Sequence, residues 1–263
     1  MSEAREQRTV FGEVAAQYDA IRPSYPDELF DTVMRLGDLH AGDAALEIGA
    51  GTGKATLPFL ARGLQVHCLE PSAGMAAFLR TKVNDVEETD FESWTVSPVR
   101  LVFAAQAWHW VKGDDRYNKL AAAIEPDGAV ALFWNQGRPH PEPFVFDNDA
   151  AYERFVPGFN AAIEHGLDWV REEIDASGHF TPCAVHTFTW ETNYTRAEWL
   201  AQLATNSNHR MIPEPTRTEL HNAVGDAIDK HGGVLPVVYD TMLFFARVSH
   251  PEGRARDNLE SLR

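Results

Sequence analysis

Short apolar runs and amphipathic stretches alternate along the first half of the chain. The runs Ala44–Ile48, Gln65–Leu69, Val99–Ala105 and Ala129–Trp134 have the length and the turn-residue borders of buried strands. A shorter strand is predicted near Val86–Thr89. Between these runs the apolar positions recur at helical spacing. Phe11, Val14, Ala15 and Tyr18 predict a helix over about 9–20, and Arg22-Pro23-Ser24-Tyr25-Pro26 breaks it. Asp27 is the expected N-cap of a helix over 28–36 that Gly37 ends. Further helices are predicted over Lys54–Arg62, over 73–83 behind a Ser72 cap, and over 114–124 before the turn Pro126-Asp127-Gly128. Strand and helix in regular alternation predict an α/β fold, with a mostly parallel sheet and helices on both faces.

After Asn135 the rhythm stops. Gly137, Pro139, Pro141 and Pro143 predict a loop, followed by helices over about 147–165 and 167–177 that end at Gly178. Residues 184–194 alternate as a sixth strand. Thr195 then caps a helix over 196–204, and another helix over 216–231 ends at Gly232-Gly233. A seventh strand is predicted over 234–248, interrupted near Pro236, and residues 250–263 are charged. The whole chain, 1–263, reads as one domain: a core over about 40–136, an N-terminal lid over about 9–36 and a helical insertion over about 140–180.

Composition narrows the function. The chain has 263 residues, 44% of them hydrophobic, so a full core is available. Its formal charge of −16 comes with no Lys/Arg run, which argues against nucleic acid and anionic membranes as partners. Cys68 and Cys183 form no CxxC pair, and the eleven histidines show no close metal-ligand spacing, so no metal is expected. The polar start Met-Ser-Glu-Ala-Arg-Glu-Gln-Arg has no apolar signal region, and no apolar stretch approaches 18 residues. A cytoplasmic protein is expected.

The chemistry concentrates at residues 45–53, Ala-Leu-Glu-Ile-Gly-Ala-Gly-Thr-Gly. A strand ends on an acid, Glu47, and runs into glycines at 49, 51 and 53. The next strand ends on a second acid, Glu70. Alternate glycines let a backbone turn sharply and approach a ligand closely. A phosphate-binding Walker loop would need glycine at Ile48 and Ser or Thr at Ala55, so that reading fails twice. A dinucleotide fingerprint would need a third glycine at Lys54, which also argues against an NAD(P)-dependent oxidoreductase. What remains, E-x-G-x-G-x-G, resembles motif I of the class I S-adenosylmethionine (SAM)-dependent methyltransferases.

The resemblance spans most of the chain and is strongest over 9–136. It implies a Rossmann-like seven-stranded sheet whose last strand is antiparallel and inserted beside the sixth. It implies SAM as cofactor, held by Gly49, Gly51 and Gly53, by Glu47 near the amino-acid end, and by Glu70 and its neighbour Pro71 at the ribose. Asp90-Phe91 matches the acid and apolar pair that flank the adenine. Tyr18, Arg22 and Tyr25 match a "Y…RP.YP" lead-in that folds over the cofactor, with Tyr18 and Arg22 at its methionyl end and Tyr25 toward the substrate. Gln106-Ala107-Trp108-His109-Trp110 resembles the Q-x-x-H-W pattern of the small-molecule, type 11-like subgroup. Gln106 is assigned to the cofactor, and Trp108, His109 and Trp110 to the substrate. Arg100 stands early in strand 4, where the family commonly has an acid.

Methyl transfer from SAM is an in-line displacement, for which the protein mainly aligns the partners and excludes water. A carboxylate needs no base, whereas a phenol or amine must lose a proton. His109 is a candidate general base or, equally, a structural hydrogen-bond donor. The expected function is O-methylation of a small organic acid or hydroxylated metabolite. The alternatives are N-methylation of a small metabolite and a non-catalytic SAM-binding module.

Overall fold

The computed structural model describes residues 15–159 and 166–249. Within them, strands β1 (Ala44–Ile48), β2 (Gln65–Leu69), β3 (Val86–Glu87), β4 (Val99–Ala105), β5 (Ile124–Pro139), β6 (Ala184–Thr195) and β7 (Val234–Arg247) form one sheet. Its order is β3-β2-β1-β4-β5-β7-β6. β1 to β5 pair in parallel, and β7 runs antiparallel between β5 and β6. The sheet is the mixed seven-stranded one implied by the resemblance.

Side chains alternate across each central strand, and both faces are buried, as parallel strands require. Val102 and Ala104 of β4 join Val130, Leu132 and Trp134 of β5 in one core, while Leu101, Phe103, Ala131 and Phe133 face the other. The first core is covered by Tyr117 and Leu120 of α5 (Arg116–Ala122) and by Val170 and Ile174 of α7 (Asp168–Ser177). The second is covered by Leu29, Phe30 and Val33 of α2 (Asp27–Gly37), Phe59 of α3 (Thr56–Ala61) and Leu79 of α4 (Ala73–Leu79). α1 (Ala15–Ile21) lies above the sheet's carboxyl edge, where Asp19 meets Lys82 at 2.7 Å.

A third core has no counterpart in the strand–helix rhythm. Phe144 and Tyr152 of α6 (Glu142–Phe155), Trp199 and Leu203 of α8 (Arg196–Thr205), and Leu220, Val224 and Ile228 of α10 (Glu214–Lys230) pack on Leu235, Val237 and Tyr239 of β7. A single turn, α9 (Ser207–Arg210), joins α8 to α10. The two helices expected as one insertion therefore serve different cores, α6 the third and α7 the first.

Several boundaries shift for identifiable reasons. Pro141 sets the start of α6, five residues ahead of the expected position. The predicted turn at Pro126–Gly128 is an irregularity inside a longer β5, with Asp127 at φ 64°. Pro236 does not interrupt β7, because it lies just beyond the last β5 pair, Pro139–Val237, where its missing N–H is not needed by β5. Asp27 sits inside α2 rather than capping it, and Gly37 is followed by Asp38 in the left-handed region. Thr195 does cap α8, through a capping box with Glu198. α6 ends at Phe155, short of the expected 165, and the expected residues Phe11 and Val14, residues 160–165 and the charged segment 250–263 lie outside the described residues.

Phe30 ties α2 to the sheet. It is fully buried, edge-on to Phe59 at 5.0 Å and to Phe133 at 6.2 Å between ring centroids. Phe30→Ala is expected to cost about 3–5 kcal/mol of stability, measured by denaturant unfolding.

Candidate functional site

A cavity of about 710 Å³ opens at the carboxyl ends of β1, β2, β4 and β5, where an open α/β sheet places its ligand crevice. Its floor is the glycine turn after β1. Three successive amides of that turn are donated to the end of β2. Gly49 and Ala50 bond the carbonyl of Leu69 at 2.8 and 3.1 Å, and Gly51 bonds Oε2 of Glu70 at 2.8 Å. The other oxygen of Glu70 accepts from the Ser72 amide at 2.8 Å, so its carboxylate is held rigid with lone pairs left toward the cavity.

The three glycines do different work. A Cβ on Gly49 would strike Cβ of Ala107 at 2.7 Å, and one on Gly53 would strike Cδ1 of Leu79 at the same distance. Gly51, at φ 58°, faces open space. Gly51 is thus the glycine of the three that leaves open space above the turn. Gly53 does not line the cavity. It was expected to hold the cofactor, but its role is to let the turn pack on α4.

Glu47 is buried beneath the turn and accepts from the Thr56 hydroxyl. Burial raises its pKa to about 8, against the hydrogen bond from Thr56, and the nearby Glu70 raises it further. Glu70 is raised to about 7, also by burial, against its two amide donors. Two desolvated carboxyls below an open cavity favour a cation above them. Asp90 accepts from the Ser93 amide at 2.9 Å, and Phe91 packs beside Trp94 at 6.2 Å; both line the cavity with Pro71.

The lead-in segment roofs the site at three fastenings. Asp19 pairs with Lys82, Arg22 donates Nη2 to Asn206, and the carbonyl of Ser24 accepts from Asn135 at 3.0 Å. Arg22 lies over the ring of Tyr18 at 5.1 Å, and its Nε is buried without a partner. Tyr25 packs edge-on against Phe133 at 5.0 Å. Tyr18, Arg22 and Tyr25 all line the cavity. α2, included in the expected lid, instead belongs to the second core.

Beyond β4, Gln106 takes a φ of 57°, unusual for a side chain with a Cβ, and donates Nε2 to the carbonyl of Asn135 at 3.1 Å. A 3₁₀ turn, Trp108–Trp110, follows. It sends its aromatics opposite ways. Trp108 is fully buried, donates to the Tyr117 hydroxyl at 3.0 Å and does not line the cavity, so its expected substrate role is replaced by a core one. His109 and Trp110 do line it. Nδ1 of His109 receives the indole N–H of Trp134 at 3.3 Å.

The sequence reading missed one wall of the cavity. Trp134, Asn135 and Gln136 lie on β5 just beyond its last pair with β4, Ala105–Phe133, Trp169 comes from α7, and Asn206 to Asn208 come from the α8–α9 junction. The first three follow the carboxyl-end rule that had already singled out 106–110. The Asn-Ser-Asn stretch carried no motif, because its place depends on the third core. Among the described aromatics of the segment expected as an insertion, Trp169 lines the cavity, whereas Phe144 and Tyr152 are core and Phe146 is exposed.

Residues 45–128, which hold the glycine turn and both acids, match the family model for the methyltransferase domain. That segment is a methyltransferase domain of the class I, SAM-dependent kind. The chain is 28% identical to an uncharacterized methyltransferase of Mycobacterium tuberculosis over 235 residues, 86% of this chain and 88% of that one. Its fold matches that of a candidate type II methyltransferase from Anaeromyxobacter dehalogenans, with TM-score 0.61 and 21% identity over 87% of this chain and 99% of that one. A SAM-dependent methyltransferase from Geobacter sulfurreducens, solved with S-adenosylhomocysteine, matches with TM-score 0.51 and 14% identity over 89% of this chain and 96% of that one.

The site of this methyltransferase fits the cofactor. Gly51 leaves an open cradle, Glu70 presents a fixed acceptor beside it, and the orphaned Nε of Arg22 is a buried donor awaiting an anion. Gly51→Val would fill the cradle and strain a positive φ. It is expected to lower S-adenosylhomocysteine affinity at least about a hundredfold by calorimetry, with circular dichroism unchanged.

The raised carboxyl pKa values also predict a pH dependence. Both folded values lie above the unfolded carboxyl value, so the folded state holds protons that the unfolded chain has already released. The stability of the ligand-free methyltransferase should therefore fall as pH rises from 6.5 to 8, by about 2 kcal/mol. Glu47→Gln should remove most of that slope in thermal or denaturant melts.

Proposed function

We propose that this methyltransferase acts on a small molecule and methylates it at oxygen. The observation that carries the reading is the continuity of one cavity. It runs from the Gly51–Glu70 cradle under a roof of Tyr18, Arg22 and Tyr25 to an aromatic end at His109, Trp110 and Trp169. A cavity of about 710 Å³ that must also seat a nucleoside–amino acid cofactor leaves room for a compact acceptor. The acidic chain, at −16, supports the same reading over a nucleic-acid substrate.

When bound, the cofactor supplies a methyl group activated by a positively charged sulfur. Glu70 would take the ribose hydroxyls on the lone pairs its amide donors leave free, and Asp90 and Phe91 would hold the adenine. Arg22 and Tyr18 would hold the methionyl carboxylate. Glu47, neutral while the site lacks a cation, would ionise beneath one and stabilise it. Trp110 and Trp169 would exclude water and align the acceptor, the main task in such a displacement.

Methyl-labelled SAM should transfer label to the small-molecule fraction of a cell extract and not to its protein or nucleic-acid fractions. Label found only in macromolecules would overturn the reading. S-adenosylhomocysteine binding by calorimetry serves as the control that the site is intact.

A further inference from the structure

His109 is held between two tryptophans, its ring centroid 4.8 Å from that of Trp110 and 6.4 Å from that of Trp134. The contact from Trp134 settles the position of its proton. An indole nitrogen has a hydrogen and no lone pair, so His109 Nδ1 must be the acceptor. A neutral imidazole with Nδ1 accepting carries its hydrogen on Nε2. Burial holds the His109 pKa down, to about 4, and Lys112 lowers it further, so the ring is neutral at physiological pH. No group among the described residues accepts from Nε2, and the side chain lines the cavity.

The acceptor end of the cavity therefore presents a hydrogen, not a lone pair. For His109 to take a proton at Nε2, its hydrogen would first have to move to Nδ1, against the Trp134 N–H. The other titratable groups on the wall are engaged elsewhere. Glu47 is bonded to Thr56 beneath the turn, Glu70 and Asp90 are committed to the cofactor in the reading above, and Glu92 accepts from the amide of Lys112. Arg22 and Lys54 are cations, and Tyr18 and Tyr25 belong to the roof.

We propose that the acceptor is an organic acid that arrives ionised, and that His109 Nε2–H binds one oxygen of its carboxylate while the other oxygen is methylated. Its apolar body packs on Trp110, Val111, Leu167 and Trp169, which line the same end. The inference rests on the methyl-transfer reading above and names its substrate class. The free carboxylate oxygen forms the new O–CH₃ bond as the C–S bond of the cofactor breaks and its electron pair stays on sulfur. The anion and the sulfonium neutralise each other, giving an ester and a thioether, and no proton is transferred. His109 orients the nucleophile without drawing on the lone pair that reacts.

The test uses the full chain, methyl-labelled SAM and matched probes: octanoate, benzoate and phenylacetate against octanol, phenol and phenethylamine. Label should enter the acids and be released as methanol by mild alkali, as from an ester. His109→Leu should raise KM for the best acid about tenfold or more, the value of one hydrogen bond to a charged group. His109→Gln, which keeps an N–H, should recover part of that loss, with S-adenosylhomocysteine affinity unchanged in both. Independently of any acceptor, ¹⁵N-histidine NMR at pH 7.5 should show His109 neutral with hydrogen on Nε2, and Trp134→Phe should mix the two tautomers. Label confined to the alcohols or the amine, no label in any acid, or an Nδ1–H signal overturns the proposal. If S-adenosylhomocysteine still binds, only this inference is lost; if it does not, the methyl-transfer reading fails first.

Discussion

The site depends on the bond between the Gly51 amide and the Glu70 carboxylate. It links the turn after β1 to the end of β2, and with the Gly49 and Ala50 amides on Leu69 it leaves that turn almost no freedom. Parallel pairing brings the two strand ends side by side, since Ile48 faces Leu69 in register. An acid one residue past β2 then falls beside the third amide of the turn. The carboxylate and the turn backbone that line the floor of the cavity are thus positioned by a single contact.

Much of this was legible in the chain. The strands of the first half were readable because buried parallel strands are short, apolar and closed by turn residues, and β1, β2 and β4 begin and end where the spacing places them. Glu47, Gly51 and Glu70 were readable because the cradle is local: a strand end, a turn and the next strand end. Sequence could not separate Gly51 from Gly53, since glycine serves both a close ligand and a close helix, and only the neighbour Leu79 tells them apart. Likewise Trp108 and Trp110 look alike in sequence, and a tight turn turns one inward and the other toward the cavity.

The far wall was illegible for a different reason. Asn206 to Asn208 reach the site only because α8 and α10 pack with α6 on the antiparallel end of the sheet. That placement comes from long-range packing and leaves no periodic trace in the residues themselves. The third core is thus more than an appendage: it carries the residue that fastens Arg22 and closes one side of the cavity.

The roof over the cavity has a kinetic consequence. Its three fastenings reach the turn after α4, β5 and the α8–α9 junction, so lifting the roof requires contacts to separate parts of the molecule to let go together. One of the three is an ion pair, Asp19 with Lys82, partly open to water. Dissolved ions weaken such a pair more than they weaken the two neutral-acceptor bonds beside it. Ionic strength thus acts on the fastening of the roof, while the buried cradle beneath stays shielded from it.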